Sequence, residues 1–274
     1  MNPRSTVLIV AYGVDHLDLG WVPDEAPIVI VHNDHALADE ACIHPRITHL
    51  RPGRNLGFGS GMNLALKTVV TDRVIFCNPD TELTVEHFEA LDDGDDSSIV
   101  TVPLVESDGT PNAVVSPYWS VPAFLLTVFR LGRFAPRGGR LRATALRVLG
   151  RYGAGHLASL EQDAGEWPLM ERWATGALFS APTDALRSVG GFEEDYFLYY
   201  EDADLQQRLA REFPEMRVRL EPVVPGRHLV GGCAKTPADQ VNVAVHRRES
   251  ARLYASRQRG ICWRMAGALI GARS

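Results

Sequence analysis

Short, unbroken apolar runs separated by stretches of helical spacing recur through the first hundred residues. Thr6-Val7-Leu8-Ile9-Val10-Ala11 and Pro27-Ile28-Val29-Ile30-Val31 lack the alternation of a strand with one wet face. They predict strands buried on both faces, as in a parallel sheet. Ile47-Thr48-His49-Leu50 is a weaker third strand, Arg73-Val74-Ile75-Phe76-Cys77 a fourth, and residues 98–105 a fifth. Between the third and fourth, residues 59–70 put Met62, Leu66 and Val69 on one helical face. Residues 84–91 predict a short helix with Thr84 as its cap. Strands alternating with helices predict an α/β fold, a doubly wound, mostly parallel sheet flanked by helices.

The rhythm breaks after residue 108. Residues 122–131 are apolar, Pro136-Arg137-Gly138-Gly139 is a breaker, and residues 141–149 form an amphipathic basic helix pattern. Regular structure resumes with a strand over 173–180, a short helix over 182–189, a helix over 201–212 ending before Pro214, and a strand over 218–224. A long polar, basic helix is expected over 242–259. The chain therefore divides into one α/β domain over 1–240, containing a basic helical insert at about 117–165, and a basic C-terminal helical extension over 241–274.

Composition narrows the class. The chain has 274 residues, 45% hydrophobic and 23% charged, which excludes a disordered tail, a collagen and a small disulfide scaffold. Cys42, Cys77, Cys233 and Cys262 form no CxxC pair, so reduced thiols in a cytoplasmic protein are expected rather than a zinc ribbon or a disulfide framework. Met1 to Thr6 run into the first strand without a signal-peptide profile, and the apolar runs fall far short of the roughly 20 residues that span a bilayer. The net charge of −6 conceals an asymmetry. Residues 109–160 contain no Asp or Glu but seven arginines (Arg130, Arg133, Arg137, Arg140, Arg142, Arg147, Arg151). Residues 241–274 contain seven more (Arg247, Arg248, Arg252, Arg257, Arg259, Arg264, Arg273) against Glu249 alone. Two basic segments on an acidic body suit an anionic partner such as a membrane surface, or two solvated helices; charge alone leaves both open. A nucleic-acid partner is not expected.

Four segments carry candidate chemistry. Arg54-Asn55-Leu56-Gly57-Phe58-Gly59-Ser60-Gly61-Met62-Asn63 lies between a strand and a helix, where backbone N–H groups can meet phosphate. It matches neither the dinucleotide fingerprint nor a Walker A loop. Asn78-Pro79-Asp80 follows an apolar strand, at the sheet end where α/β folds bind ligands, and a carboxylate there can share Mg2+ or Mn2+ with a diphosphate. The alternative is a Pro-Asp turn. Glu201-Asp202-Ala203-Asp204 opens a helix after the aromatic stretch Tyr196-Phe197-Leu198-Tyr199-Tyr200. Acids cap helix N-termini, but a carboxylate beside apolar surface can also serve as a general base. His228 follows a strand and precedes Gly231-Gly232.

The order of these motifs resembles family 2 glycosyltransferases, in particular the rhamnosyltransferase-like branch of bacterial cell-wall and surface-glycan enzymes. The matching segments are Val7 to Tyr12, Asn55 to Gly59 with Asn63, and Asn78-Pro79-Asp80. Most specific is the block running from Trp173-Ala174-Thr175-Gly176-Ala177 through Gly190-Gly191-Phe192-Glu193-Glu194 to Tyr199-Tyr200-Glu201-Asp202-Ala203-Asp204-Leu205, followed by His228. The resemblance implies a GT-A fold, a nucleotide-sugar donor (dTDP-L-rhamnose in that branch), Mg2+ or Mn2+, and a glycan or lipid-linked acceptor reached from the inner face of the cell membrane. It makes Asp80 a metal ligand with His228, and Asp202 the base of an inverting reaction, supported by Glu201 and Asp204. Tyr12, Asn33, Arg54, Asn55, Gly57, Asn63 and Asn78 become the donor-binding candidates. His32 stands where an aspartate is usual, Gly13 follows Tyr12, and the segment between the first two strands is short. Two other classes compete with this reading, a sugar nucleotidyltransferase and a non-catalytic glycan- or nucleotide-binding relative. Tyr12-Gly13-Val14-Asp15-His16 lacks the basic glycine-rich loop of the former, and the joint presence of Asp80, Asp202 and His228 argues against the latter.

Overall fold

The computed structural model describes residues 3–14, 16–34, 44–129, 164–229 and 237–271. Most of the basic insert, with its seven arginines and the helix expected over 141–149, lies outside the described residues, as do Gly231-Gly232, Cys42 and Cys233. Cys77 and Cys262 are free thiols.

An eight-stranded mixed sheet, mostly parallel, forms the centre. Its left half is β3 (Ile47–Leu50), β2 (Ile28–His32), β1 (Ser5–Ala11) and β4 (Arg73–Cys77), all parallel. β1, β2 and β4 are buried at every position, which is why their sequences read as continuous apolar runs. β11 (Leu178–Pro182) runs antiparallel between β4 and β6 (Ser98–Thr101). β12 (Arg217–Leu220) pairs parallel with β6 and antiparallel with the edge strand β9 (Gly165–Pro168).

Helix α1 (Phe58–Leu66) packs on β1 and β2, and α2 (Val85–Asp92) on β4, β6 and β11. Thr84 caps α2 in a capping box with His87, as the sequence suggests. α1 ends earlier than the expected 59–70, and β12 earlier than 218–224.

Two strands expected as single elements are each split, and the splits build the site. The run over 98–105 breaks at Val102-Pro103, where proline has no N–H for the ladder. The chain then leaves the main sheet as β7 (Leu104–Val105) to pair with β13 (Gly226–His228), whose other edge is β5 (Thr81–Glu82). The run over 173–180 breaks at Thr175-Gly176-Ala177; β10 (Arg172–Ala174) pairs with β8 (Val115–Pro117) before β11 begins. Both small sheets meet the main one near the carboxyl end of β4, since Asn78 N–H donates to Ala177 C=O at 2.8 Å.

α3 (Val121–Val128), α5 (Glu201–Glu212), α6 (Pro237–Arg257) and α7 (Ile261–Gly271) gather around a second, aromatic core, and α4 (Thr183–Ser188) packs on β11. In that core Trp119 lies 5.2 Å from Trp173 and 5.5 Å from Tyr200 and Tyr254, and Phe124 lies 5.1 Å from Trp263. The C-terminal helices are thereby folded back onto the α/β body. α7 was not anticipated as a separate helix; Gly260, at φ 107°, turns the chain between α6 and α7.

Candidate active site

A cleft of about 550 Å³ opens where the small sheets meet the aromatic core. Trp119, Trp173, Val114, Leu104 and Phe58 give it apolar walls, and Asn78, Glu201, Asp202, His228 and Arg247 give it chemistry.

Asp202 sits in the first turn of α5, where the macrodipole favours acids. The two residues before the helix, Tyr199 and Tyr200, both have left-handed backbones, at φ 72° and 70°. For non-glycine residues this costs roughly 1–2 kcal/mol each. Packing holds them there: Tyr200 is buried against Trp119, Phe124 and Tyr254. The strained pair aims Glu201 and Asp202 at the cleft. Asp202 accepts hydrogen bonds from Gly176 N–H at 2.7 Å and Ala203 N–H at 2.9 Å. Gln206, one turn on, brackets the Ala174 backbone with bonds of 2.8 and 2.6 Å and so fixes the strand end that presents Gly176.

Burial raises the proton affinity of Asp202, and burial together with the neighbouring Asp202 raises that of Glu201. Two adjacent carboxylates titrate as a unit. The hydrogen bonds decide which ionises first: Asp202 holds two N–H donors that favour its charged form, whereas buried Glu201 Oε2 has no hydrogen-bond partner. Asp202 is therefore the carboxylate that carries the charge once the pair has lost one proton, and so the one free to accept a proton. Asp204 does not line the cleft. It is ion-paired with Arg208 at 2.9 Å, and Arg208 also holds the Val189 and Gly191 carbonyls, so this carboxylate anchors the turn before α5.

Asn78, directly after β4, and His228, the last residue of β13, also line the cleft; Asp80, two residues beyond Asn78, does not. Asp80 Oδ1 lies 3.3 Å from His228 Nε2, which lies 3.3 Å from Asn78 Nδ2. The backbone holds this arrangement, because Leu229 N–H donates to Asp80 C=O at 2.9 Å. Asp80 Oδ1 is buried without a hydrogen-bond partner, a costly state for a carboxylate oxygen that a divalent cation would relieve. No group of three or more His, Cys, Asp or Glu gathers among the described residues. A cation held by Asp80 and His228 would take its remaining ligands from substrate oxygens and water, as Mg2+ does beside phosphates.

The other donor-binding candidates divide. Of the seven, only Asn78 lines the cleft; Tyr12 and Arg54 are exposed. Asn33 donates to Gly57 C=O at 2.9 Å and accepts from Leu56 N–H, and Asn55 closes a turn onto Gly57 N–H at 2.9 Å. Asn63 bonds both the N–H and the C=O of Phe192 at 2.8 Å, stapling α1 to the Gly190-Gly191-Phe192 turn. These amides shape the glycine-rich loop with their own hydrogen bonds. Gly57 has φ 80°, and a Cβ there would strike the Phe197 carbonyl that accepts the Phe58 N–H. Gly57→Ala is expected to lower stability by at least the roughly 1–2 kcal/mol of the left-handed backbone. Urea unfolding checks this; an unchanged midpoint would contradict it.

Trp119, Trp173, Gln206 and Arg247 were not singled out as site residues from sequence. Gln206 is four residues from Asp202, a spacing that places both on one helix face. Arg247 registered only as part of a basic segment.

No family model matches the chain. It is 25% identical over 272 residues to the N-acetylglucosaminyl-diphospho-decaprenol L-rhamnosyltransferase of Mycobacterium tuberculosis strains CDC 1551 / Oshkosh and H37Rv, covering 89% of this chain and 82% of that protein. Among solved structures it is similar to GalNAc-T7 with UDP, GalNAc and Mn2+, with TM-score 0.56 and 12% identity over 93% of this chain. It is also similar to S. aureus TarS, with TM-score 0.51 and 13% identity over 98% of this chain. The chain spans 51% of the first of these structures and 42% of the second. It has the GT-A glycosyltransferase fold and is a distant homologue of the mycobacterial rhamnosyltransferase.

Proposed function

We propose that the protein is an inverting, divalent-metal-dependent glycosyltransferase that moves a sugar, L-rhamnose, from a nucleoside diphosphate to a hydroxyl of a lipid-linked acceptor. One observation carries the reaction type. A hydrogen-bonded carboxylate, Asp202, lines one cleft with Asn78 and His228, and Asp80 lies 3.3 Å from His228. The distant homologue's name supports the donor sugar and the acceptor class.

Asp202 takes the proton of the acceptor hydroxyl as it attacks the anomeric carbon. Attack from the face opposite the leaving diphosphate inverts that centre and needs no covalent sugar–enzyme intermediate. The apolar walls exclude water, which strengthens the polar contacts inside the cleft. Asn78 holds the His228 ring, and Asp80 and His228 would hold a divalent cation, which when bound offsets charge on the leaving diphosphate.

The test is incubation with dTDP-L-rhamnose and a short-chain N-acetylglucosaminyl diphospholipid in Mn2+ or Mg2+. The expected products are dTDP and a rhamnosylated lipid of inverted anomeric configuration. Pyrophosphate release would indicate nucleotidyl transfer, and retained configuration would exclude the inverting mechanism.

The acceptor reading includes docking on an anionic membrane. No helix among the described residues is long and apolar enough to cross a membrane. α7 instead exposes Ile261, Met265 and Leu269, spaced four apart and so on one face, while Ala266 and Ile270 are buried on the other. Arg259 and Arg264 are exposed nearby, and neither α7 nor its flanks carry an acid. An apolar stripe with a basic border suits an anionic bilayer, each basic residue near the surface adding about 1 kcal/mol. Flotation with anionic vesicles is expected to weaken as salt rises, and to fail for Met265→Glu/Leu269→Glu. Equal recovery on neutral and anionic vesicles would reject the docking.

A further inference from the structure

We infer that Arg247 is an anion-binding residue on the acceptor side of the cleft, taking a phosphate that an acceptor carries close to its reacting hydroxyl. The inference rests on the glycosyltransferase reading and names its acceptor chemistry: phosphate-linked rather than neutral.

Among the described residues that line the cleft, Arg247 is the one Lys or Arg. Its neighbours on α6 are otherwise engaged. Arg248 donates to the Ile270 carbonyl at 2.8 Å, and Arg257 pairs with Glu193 and Asp195. Arg247 has no carboxylate partner among the described residues; it is seated on a tyrosine ring. Its guanidinium lies 5.3 Å from the centroid of the Tyr199 ring. A guanidinium fixed over an aromatic face keeps its charge and most of its donors for a ligand. Its planar fork matches phosphate oxygens.

The clamp also gives the direction. Tyr199 and Tyr200 are the strained residues immediately before Glu201 and Asp202, so the backbone that aims the carboxylates also seats the arginine. The donor diphosphate is assigned to Asn78, Asp80 and His228, where the proposed cation would sit. Arg247, on the ring of Tyr199 three residues before Asp202, is assigned to the acceptor, whose hydroxyl must reach Asp202 to lose its proton. Trp119 and Trp173 line the same cleft with apolar faces on which a sugar ring can rest. A monosaccharide joined to a lipid through a diphosphate has its hydroxyls within a few ångströms of a phosphate; a neutral glycan offers nothing to Arg247.

The test is calorimetric binding to the full chain saturated with dTDP and Mn2+, so that the donor's phosphate positions are filled. The probes are a short-chain N-acetylglucosaminyl diphospholipid and an octyl N-acetylglucosaminide. Wild type is expected to bind the phosphorylated probe roughly 10- to 100-fold more tightly, the range of a hydrogen bond to a charged group. Arg247→Ala should erase that preference, Arg247→Lys should restore part of it, and dTDP affinity should be unchanged in both. Equal binding of the two probes by wild type overturns the inference, as does a preference that survives in Arg247→Ala. Loss of dTDP affinity in Arg247→Ala also overturns it, assigning the arginine to the donor phosphate. Equal weakening of both probes would reduce Arg247 to packing on the Tyr199-Tyr200 segment. These outcomes are independent of transfer: if wild type discriminates the probes but makes no rhamnosylated product, the donor assignment fails and the anion subsite stands.

Discussion

Asp202→Asn is expected to leave a folded protein whose turnover at saturating acceptor is lower by about 10²–10⁴-fold, the usual contribution of a general base. The substitution keeps the shape and an oxygen for the Gly176 N–H, but removes the basic electron pair. Donor affinity should change little, because Asp202 acts on the acceptor. The wild-type rate should fall on the acid side at a higher pH than an ordinary carboxylate would give, since burial raises the proton affinity of Asp202 and of its neighbour Glu201. The same shift carries a stability cost with a definite sign. The folded state holds these protons more tightly than the unfolded chain does, so unfolding stability declines as pH rises from the ordinary carboxylate range through the raised folded values. Asp202→Asn removes one of the two buried charges. Its melting temperature relative to wild type should rise between pH 4 and pH 8. A variant retaining more than a tenth of wild-type turnover would assign proton transfer to Glu201, and a melting temperature that falls relative to wild type as pH rises would contradict the burial argument.

The parts of this arrangement that were legible in the sequence are those fixed by local pattern. β1, β2 and β4 announce themselves because burial on both faces demands unbroken apolar runs. α5 announces itself because its acids gather in the first turn. The β7–β13 and β8–β10 pairings were not legible, because each strand has only two or three residues and is stabilised by a partner distant in sequence. Their absence made Pro103 and Gly176 look like interior residues of longer strands. Asn33 and Asn63 are donor-binding candidates by motif, and in the fold both bond to backbone. A side-chain amide serves a loop or a ligand with the same atoms, and sequence cannot tell which. Arg247 was hidden for the same kind of reason. Its distinction from the other arginines of its segment is that it packs on Tyr199, which depends on how α6 folds back onto the aromatic core.

Asp80→Ala is expected to abolish the stabilisation that Mn2+ and dTDP together give the wild type, while leaving the unliganded protein folded. Folding should survive because Asp80 Oδ1 gives up only its 3.3 Å contact with His228, and the Leu229 N–H bond goes to the Asp80 backbone. Removing a buried, unsatisfied charge costs little and can stabilise. Binding should suffer because the described residues gather no third acidic or imidazole ligand that could substitute. The metal-dependent part of dTDP affinity should drop by more than the roughly 10- to 100-fold that losing an outer-shell partner costs a metal site. Two measurements separate the effects. Thermal shift without ligand reports the fold, and calorimetric titration of dTDP with and without Mn2+ reports the cation. His228→Ala should give the same loss in weaker form, since it removes one partner and leaves the carboxylate. If Asp80→Ala binds dTDP and Mn2+ as tightly as wild type, the cation is held elsewhere and the Asn78-Pro79-Asp80 segment is only the turn that ends β4.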